Sequence, residues 1–478
     1  MVLDFVRTPD AWAHPVAFAS KFYAHYPKVL IGHWPPFFYL VEAGWMEIFG
    51  ENIASARALV LFALALWLIG IAAWLQLDFD WTLALIAVAC LLRLPVVQVS
   101  GAYLLSDGLV TALCLGALYC WTRFLESARK GDAIAFALAA AAAILTKGNA
   151  WVLIPAAFLA PLFARDLRCY RRPWFWLSLA LATSLAAPFY LYAQAMQAAY
   201  PVSNVAGAVQ VSVLWGRLLM LTSLLATVPA AAWLLICLGL AGAAGNRIRW
   251  AVSVSFCAAM LVFLGVTGLS FEGRVMLPMI PLLCAIAVSG LMFAMRLPFP
   301  GRIGFVIAFA ALSTLPLGGF VPLVRDGYSA VAAQIPSVLL PSVLLVASDS
   351  VGEGALVVDR LVLDRQRKDV VIRATKFLSQ QDSNGSSYRE IYPDDEALLE
   401  AIRRVPVLYA VVDDWSDRPH TVRLRRVAEK HFRLIGTNRI GGKRVDLFVD
   451  PKAVGRSIEN LKFSLGPWHA NREIEYQP

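Results

Sequence analysis

The sequence predicts a mainly α-helical, polytopic membrane protein with an extramembrane α/β domain at its carboxyl-terminal end. Three observations predict it. Hydrophobic residues make up 59% of the 478 positions and charged residues only 16%, against about 25% charged in soluble domains. About ten stretches are apolar over a length close to the roughly 20 residues that a helix needs to cross hydrocarbon. Beyond residue 326 these stretches give way to short β-branched runs alternating with helical periods. The charge is divided the same way: residues 326–478 carry 22 basic and 21 acidic side chains, so the net +9 sits almost wholly among the apolar segments. That placement is a membrane-orientation signal and argues against a nucleic-acid footprint.

Residues 1–52 read as an external first loop. A helical period runs over 12–26, followed by His33-Trp34-Pro35-Pro36-Phe37-Phe38-Tyr39-Leu40. The prolines set a turn, and the aromatics favour the water–lipid boundary. The amphipathic stretch 38–49 is too short to span. It predicts a surface or re-entrant helix that either borders a lipid-entry groove or anchors the loop. The transmembrane domain, 53–325, comprises membrane helices or half-helices at 53–75, 81–98, 106–125, 133–146, 150–164, 173–194, 216–242, 250–268, 276–295 and 303–324. Segments 133–146 and 150–164 are short, flank Lys147-Gly148-Asn149, and read as a hairpin reaching partway across. Arg93, deep in 81–98 and followed by Pro95, costs at least about 2.5 kcal/mol in hydrocarbon if unpaired. It predicts a buried partner or a lipid-phosphate contact.

Alternate connections carry eleven lysines and arginines, from Arg123 to Arg302, while the opposite set carries Lys147, Arg217 and Arg274. Basic connections stay cytoplasmic, which puts 1–52 and 326–478 outside a bacterial inner (plasma) membrane, in the periplasm if the source is a Gram-negative bacterium. An external start requires a hydrophobic carrier, and residues 1–30 contain no signal-peptide core; a membrane helix is expected upstream of Met1. The seven cysteines all precede residue 285, without CxxC spacing or interleaved histidines. This excludes a disulfide framework or zinc site as the organising feature.

In 326–478, strands are predicted at 342–347, 369–374, Val407–Asp413 and 445–449, with helices at 352–367 and 394–404, giving a largely parallel sheet. Asp349-Ser350-Val351-Gly352-Glu353-Gly354 resembles a strand-to-helix phosphate turn without full GxGxxG spacing. Asp413-Asp414, at a strand end, reads as a pair of solvated turn carboxylates rather than a metal site.

The predicted topology collects ionisable residues at the outer membrane face: Asp10, His14, His25, Lys28, His33, Glu42, Asp107, Lys147, Glu272 and Arg274. Carboxylates come from the first loop and from 99–107, cations from the connections at 147 and 274. This is the set needed to handle an anionic, phosphate-bearing lipid beside a hydroxyl acceptor.

The run HWPPFFYLVEAGWMEIFG from His33 to Gly50, Arg57 behind it, Ser106-Asp107 opening a helix, Thr146-Lys147-Gly148, and Gly273-Arg274 leading into Leu277-Pro278 and Pro281 occur in one order. Between about Asp10 and Pro281 the chain thus resembles the bacterial polyprenyl-phosphate-sugar glycosyltransferases of the C-type membrane fold, which include protein O-mannosyltransferases and the lipid A aminoarabinose transferase. It departs from them in lacking the first membrane helix and in carrying Asp10-Ala11 for an acidic pair. It also has Trp34 where some members carry a cation, and Val275 where they carry tyrosine.

The resemblance implies inverting transfer of a sugar from a polyprenyl-phosphate donor to a hydroxyl of a cell-envelope glycan, lipid or protein. Asp10 and Asp107 would then be the catalytic carboxylates, with Asp10 the base and Asp107 positioning the acceptor or a cation. Lys147 and Arg274 would hold the donor phosphate with Arg93 in reserve, and His33, Trp34 and Tyr39 would border the lipid groove. The resemblance fixes no cofactor, and a single acid at residue 10 leaves a divalent metal open. Membrane lipids are the other expected partner. The residues alone also admit a transporter or lipid flippase, or a non-catalytic envelope scaffold.

Overall fold

The computed structural model describes residues 1–26, 34–199, 228–241, 246–267, 273–298, 327–336, 342–380, 388–440 and 442–456, the short pieces 462–464 and 473–475, and the single positions 300, 303 and 306. The chain divides into two compact units. One comprises residues 34–192 and 207–322; the other comprises 1–33, 193–206 and 323–478.

The first unit is helical. Among the described residues five helices are long and apolar enough to cross a membrane: Ile53–Gln76, Asp107–Ser127, Pro173–Ala195, Arg247–Val266 and Arg274–Ala294. The expected single segment 81–98 is instead a pair, Trp81–Leu92 and Pro95–Ala102, bent by 70°. Pro95 has no N–H to continue the first helix and holds Leu94 extended, at φ −70° and ψ 129°. Shorter apolar helices occupy Gly148–Ala164 and Ala230–Ala241. Residues 216–227 and nearly all of 303–324 lie outside the described residues. Helix starts obey local chemistry: Asn52 and Asp80 accept from the backbone N–H groups of Ser55 and Leu83, filling donors that a first turn leaves open.

Packing follows side-chain size. Trp121 is fully buried against Phe136 and Phe175, with ring centroids 4.5 and 5.1 Å away, and donates from Nε1 to Ala157 O. Helices Ala230–Ala241 and Ile280–Ala294 meet through Gly239 and Gly290, where an added Cβ would collide with a carbonyl oxygen of the other helix. Close backbone approach through small residues is a common way to join helices in lipid. At one end of helix Asp107–Ser127, Arg249 binds Asp78 through Nε and Nη2 at 2.8 and 2.5 Å, and Glu126 lies 3.5 Å from its Nη1. This network closes the face carrying the basic connections.

The second unit contains a five-stranded sheet, ordered β2-β1-β5-β7-β6. The strands are β1 Val343–Ala347, β2 Val370–Arg373, β3 Ser379–Gln380, β4 Arg389–Glu390, β5 Val407–Asp413, β6 Arg433–Ile440, β7 Lys443–Val449, β8 Lys462–Ser464 and β9 Glu473–Glu475. Pairs β3–β4 and β8–β9 stand apart. The sheet is mixed rather than largely parallel: β1 runs parallel to β2 and β5, while β7 is antiparallel to both β5 and β6. Alternation along β1 feeds two cores. Val343, Leu345 and Ala347 pack with Ile402 and Leu424, whereas Leu344 and Val346 pack with Tyr328 and Leu356.

Residues 1–26 belong to this unit as three short helices, Val2–Arg7, Pro9–Ala13 and Pro15–His25. Arg367 binds both carboxylate oxygens of Asp4 at 3.2 Å. His25 Nδ1 donates to Asp369 O at 3.3 Å, Tyr26 Oη donates to Asp364 at 3.0 Å, and Ala24 and Tyr26 enter the two cores.

Candidate active site

Helix Asp107–Ser127, roughly 30 Å long at 1.5 Å per residue, carries Asp107 at the end opposite the Arg249 network. Asp107 is 1% exposed, and its Oδ1 accepts from Lys147 Nζ at 2.5 Å, with the lysine side chain 17% exposed. The chain turns out of helix Lys130–Thr146 at Lys147, which is extended at φ −157° and ψ 135°. That geometry sends the lysine back across the first turn of the neighbouring helix.

Two residues on, buried Asn149 donates from Nδ2 to Val275 O at 3.0 Å, pinning the 3₁₀ segment Gly273–Met279 that carries Arg274. This segment also packs on Pro95–Ala102 and Asp107–Ser127. Arg274 is half-buried. Tyr190 closes the other side, donating to Ile144 O at 2.8 Å beside Gly148, where a Cβ would stand 3.3 Å from the tyrosine hydroxyl. The structure therefore joins Asp107, Lys147 and the Arg274 segment at one end of the membrane helices. Asn149 and Tyr190, which hold them there, were not among the predicted site residues. Their only sequence signals were an amide two residues after the lysine and a tyrosine late in an apolar helix.

The other predicted residues lie on other elements. Asp10 is exposed at the second position of helix Pro9–Ala13 in the other unit, without a partner among the described residues. Arg93 is exposed at the end of helix Trp81–Leu92, again without a described partner. Of the two contacts predicted for it, a buried partner does not occur among the described residues, and the break at Leu94-Pro95 places Arg93 at a helix end. Trp34 and Tyr39, 54% and 36% exposed, flank the start of helix Phe37–Phe49, whose Ile48 and Phe49 are also exposed. His33, Lys28 and Glu272 lie outside the described residues. Among the described residues no group of three His, Cys, Asp or Glu side chains is placed to hold a metal ion.

Two motifs of the α/β unit are structural. Asp413 is buried, not solvated, and accepts from Tyr328 Oη at 2.5 Å and from Ser348 Oγ; Asp414 pairs with Arg425 and Arg444. The turn at Asp349 does cap helix Ser350–Leu363. However, Ser348 and Tyr328 fill the space beside Gly352, leaving no cradle for a nucleotide phosphate.

Residues 33–192 match the family model described as dolichyl-phosphate-mannose-protein mannosyltransferase. No curated protein matches the chain. Among solved structures, it is similar to ArnT from Cupriavidus metallidurans bound to undecaprenyl phosphate, with a TM-score of 0.56 and 14% identity over 92% of this chain and 93% of that one. Against apo ArnT the TM-score is 0.53, at 15% identity and the same coverage. Together these matches bear out the resemblance to the C-type membrane glycosyltransferases. The chain itself is a multi-pass membrane protein with an ArnT-like fold and strands in its carboxyl-terminal region.

Proposed function

We propose that the chain is a polyprenyl-phosphate-dependent membrane glycosyltransferase. In this reading it moves a sugar to a hydroxyl on a cell-envelope glycan, lipid or protein at the outer face of a bacterial inner membrane, with the α/β unit periplasmic. The observation that carries the reading is the buried Asp107–Lys147 pair beside the Arg274 segment, in a fold whose ArnT example holds undecaprenyl phosphate.

A phosphate leaving group needs cations for its developing charge more than it needs an acid. Lys147 and Arg274 serve that role, and Asp107 orients the lysine by accepting its ammonium. The acceptor hydroxyl attacks the anomeric carbon in line, the bond to the phosphate oxygen breaks, and polyprenyl phosphate leaves with the electron pair. The hydroxyl proton passes to a carboxylate within about 3 Å, here assigned to Asp10. One displacement inverts the anomeric carbon.

The test is transfer from undecaprenyl-phosphate sugars in proteoliposomes. Asp10→Asn should abolish turnover while leaving donor binding intact. Full turnover would remove Asp10 as the base, and substrate movement across the bilayer without any transfer would favour the transporter reading.

A further inference from the structure

The end of helix Asp107–Ser127 away from Asp107 carries a surface that sugar transfer does not use. Helix Leu153–Ala164 stops there at Arg165, and the chain makes one 3₁₀ segment, Leu167–Arg171, before the next helix starts at Pro173. Arg172 ties this turn to the end of helix Asp107–Ser127. Its Nη1 donates to Phe124 O at 3.2 Å and to Leu125 O at 3.3 Å, carbonyls of a last turn, where outside donors are wanted.

A 3₁₀ helix repeats every three residues, so side chains at i and i+3 eclipse and the segment presents three rows. Cys169 is buried and forms the inner one. Leu167 and Tyr170 form the second. Leu167 is exposed, and Tyr170 lies among Phe158 and Trp176, with ring centroids 5.4 and 6.4 Å away. Tyr170 Oη donates to Phe158 O at 2.6 Å and Trp176 Nε1 donates to Tyr170 O at 2.9 Å, which fixes the cluster while Phe158 and Trp176 stay exposed. Tryptophan and tyrosine at the end of membrane helices favour the water–lipid boundary.

Arg168 and Arg171 form the third row, roughly 6 Å apart along the axis. Both are exposed, and neither guanidinium makes a hydrogen bond or ion pair among the described residues. The acids of this end are engaged elsewhere. Asp166 is turned back to cap the segment, accepting from Arg168 N at 3.2 Å. Asp132 lies 3.6 Å from Arg123 Nε, and Glu126 accepts from Asn246 Nδ2 at 2.8 Å. A row of two cations beside an apolar, aromatic row complements an anionic headgroup with its acyl chains: guanidinium forks take phosphate oxygens, and the aromatic row takes the chains.

We propose that Arg168 and Arg171, with Leu167, Tyr170, Phe158 and Trp176 beside them, form a binding site for an anionic glycerophospholipid, its phosphodiester held by the two guanidinium groups. The site lies in the leaflet that meets the basic connections, at the opposite end of helix Asp107–Ser127 from the Asp107–Lys147 pair. It needs neither a sugar donor nor turnover, so it stands apart from the sugar-transfer reading.

The test uses the full chain in phosphatidylcholine nanodiscs holding a trace of photoactivatable phosphatidylglycerol, and maps the labelled residues by mass spectrometry as unlabelled phosphatidylglycerol is added. Labelling within residues 158–176 is expected to be saturable, and Arg168→Gln with Arg171→Gln should raise the half-competing fraction at least about tenfold. Arg129→Gln with Lys130→Gln removes the same charge from the exposed connection after helix Asp107–Ser127 and should change it by less than about twofold. Neither pair should shift the melting temperature in phosphatidylcholine, because the side chains are exposed; if the arginine pair does, Arg168→Gln and Arg171→Gln taken singly carry the comparison. Equal labelling by photoactivatable phosphatidylcholine overturns the proposal, and so does equal weakening by the two pairs, which is the signature of surface potential alone.

Discussion

Replacing Asp107 with asparagine removes one charge from a pair whose atoms approach to 2.5 Å, with the acid 1% and the lysine 17% exposed. The ammonium of Lys147 is then left mostly buried without its counter-ion, a situation that costs about 3–5 kcal/mol in other proteins. Replacing Lys147 with methionine as well removes the stranded charge. The double variant should therefore recover about 2–3 kcal/mol relative to the sum of the single changes, which is the coupling expected of contacting groups.

Stability is measured by denaturant unfolding in micelles and turnover by transfer from an undecaprenyl-phosphate sugar. The two readouts should part company: stability returns in the double variant, whereas turnover stays down by about 10²–10³-fold because the phosphate-facing cation is gone. Additive stability losses within about 0.5 kcal/mol would show that the contact carries no coupling, and restored turnover in the double variant would remove Lys147 from the leaving-group role.

His420 should make the α/β unit acid-sensitive. Its imidazole takes up a proton near 6.5 when unfolded but, held down by burial, near 4 when folded, so stability present above pH 6.5 falls as pH drops through that window. Between pH 7 and pH 5 the loss is about 2 kcal/mol, and His420→Gln should lack that component in denaturant titrations at the two pH values; identical pH dependence would refute it. Gly290→Ala places a methyl group against the Leu235 carbonyl and should cost about 1–3 kcal/mol or more. An unchanged melting temperature would mean that the two helices do not pack as described.

Much of the fold was legible because composition and period act locally. Asp107 opens its helix where Ser106-Asp107 marked a start, and β1, β2, β5 and β7 fall within a residue or two of their predicted ends. What escaped depended on partners. Strand β6 is an edge strand whose Arg433, Leu434, Ile435 and Arg439 are exposed, so it carries no alternating pattern. The break at Leu94-Pro95 lies inside a run that counts as one span by hydropathy. The pairing of Lys147 with Asp107 across 40 residues was foreseen only as membership of one membrane face. Asp413 looked like a turn carboxylate because nothing local announces that Tyr328 and Ser348 will bury it.

The attachment of residues 1–26 to the α/β unit has a practical corollary. A soluble fragment cut to begin near Tyr328 would lose Ala24 and Tyr26 from its two cores and the phenol that satisfies Asp364. It would also leave Arg367 without Asp4. Such a fragment should be expressed together with a peptide spanning residues 1–26. In the intact protein, anything that reorients the sheet carries Asp10 with it, as cargo on the same raft.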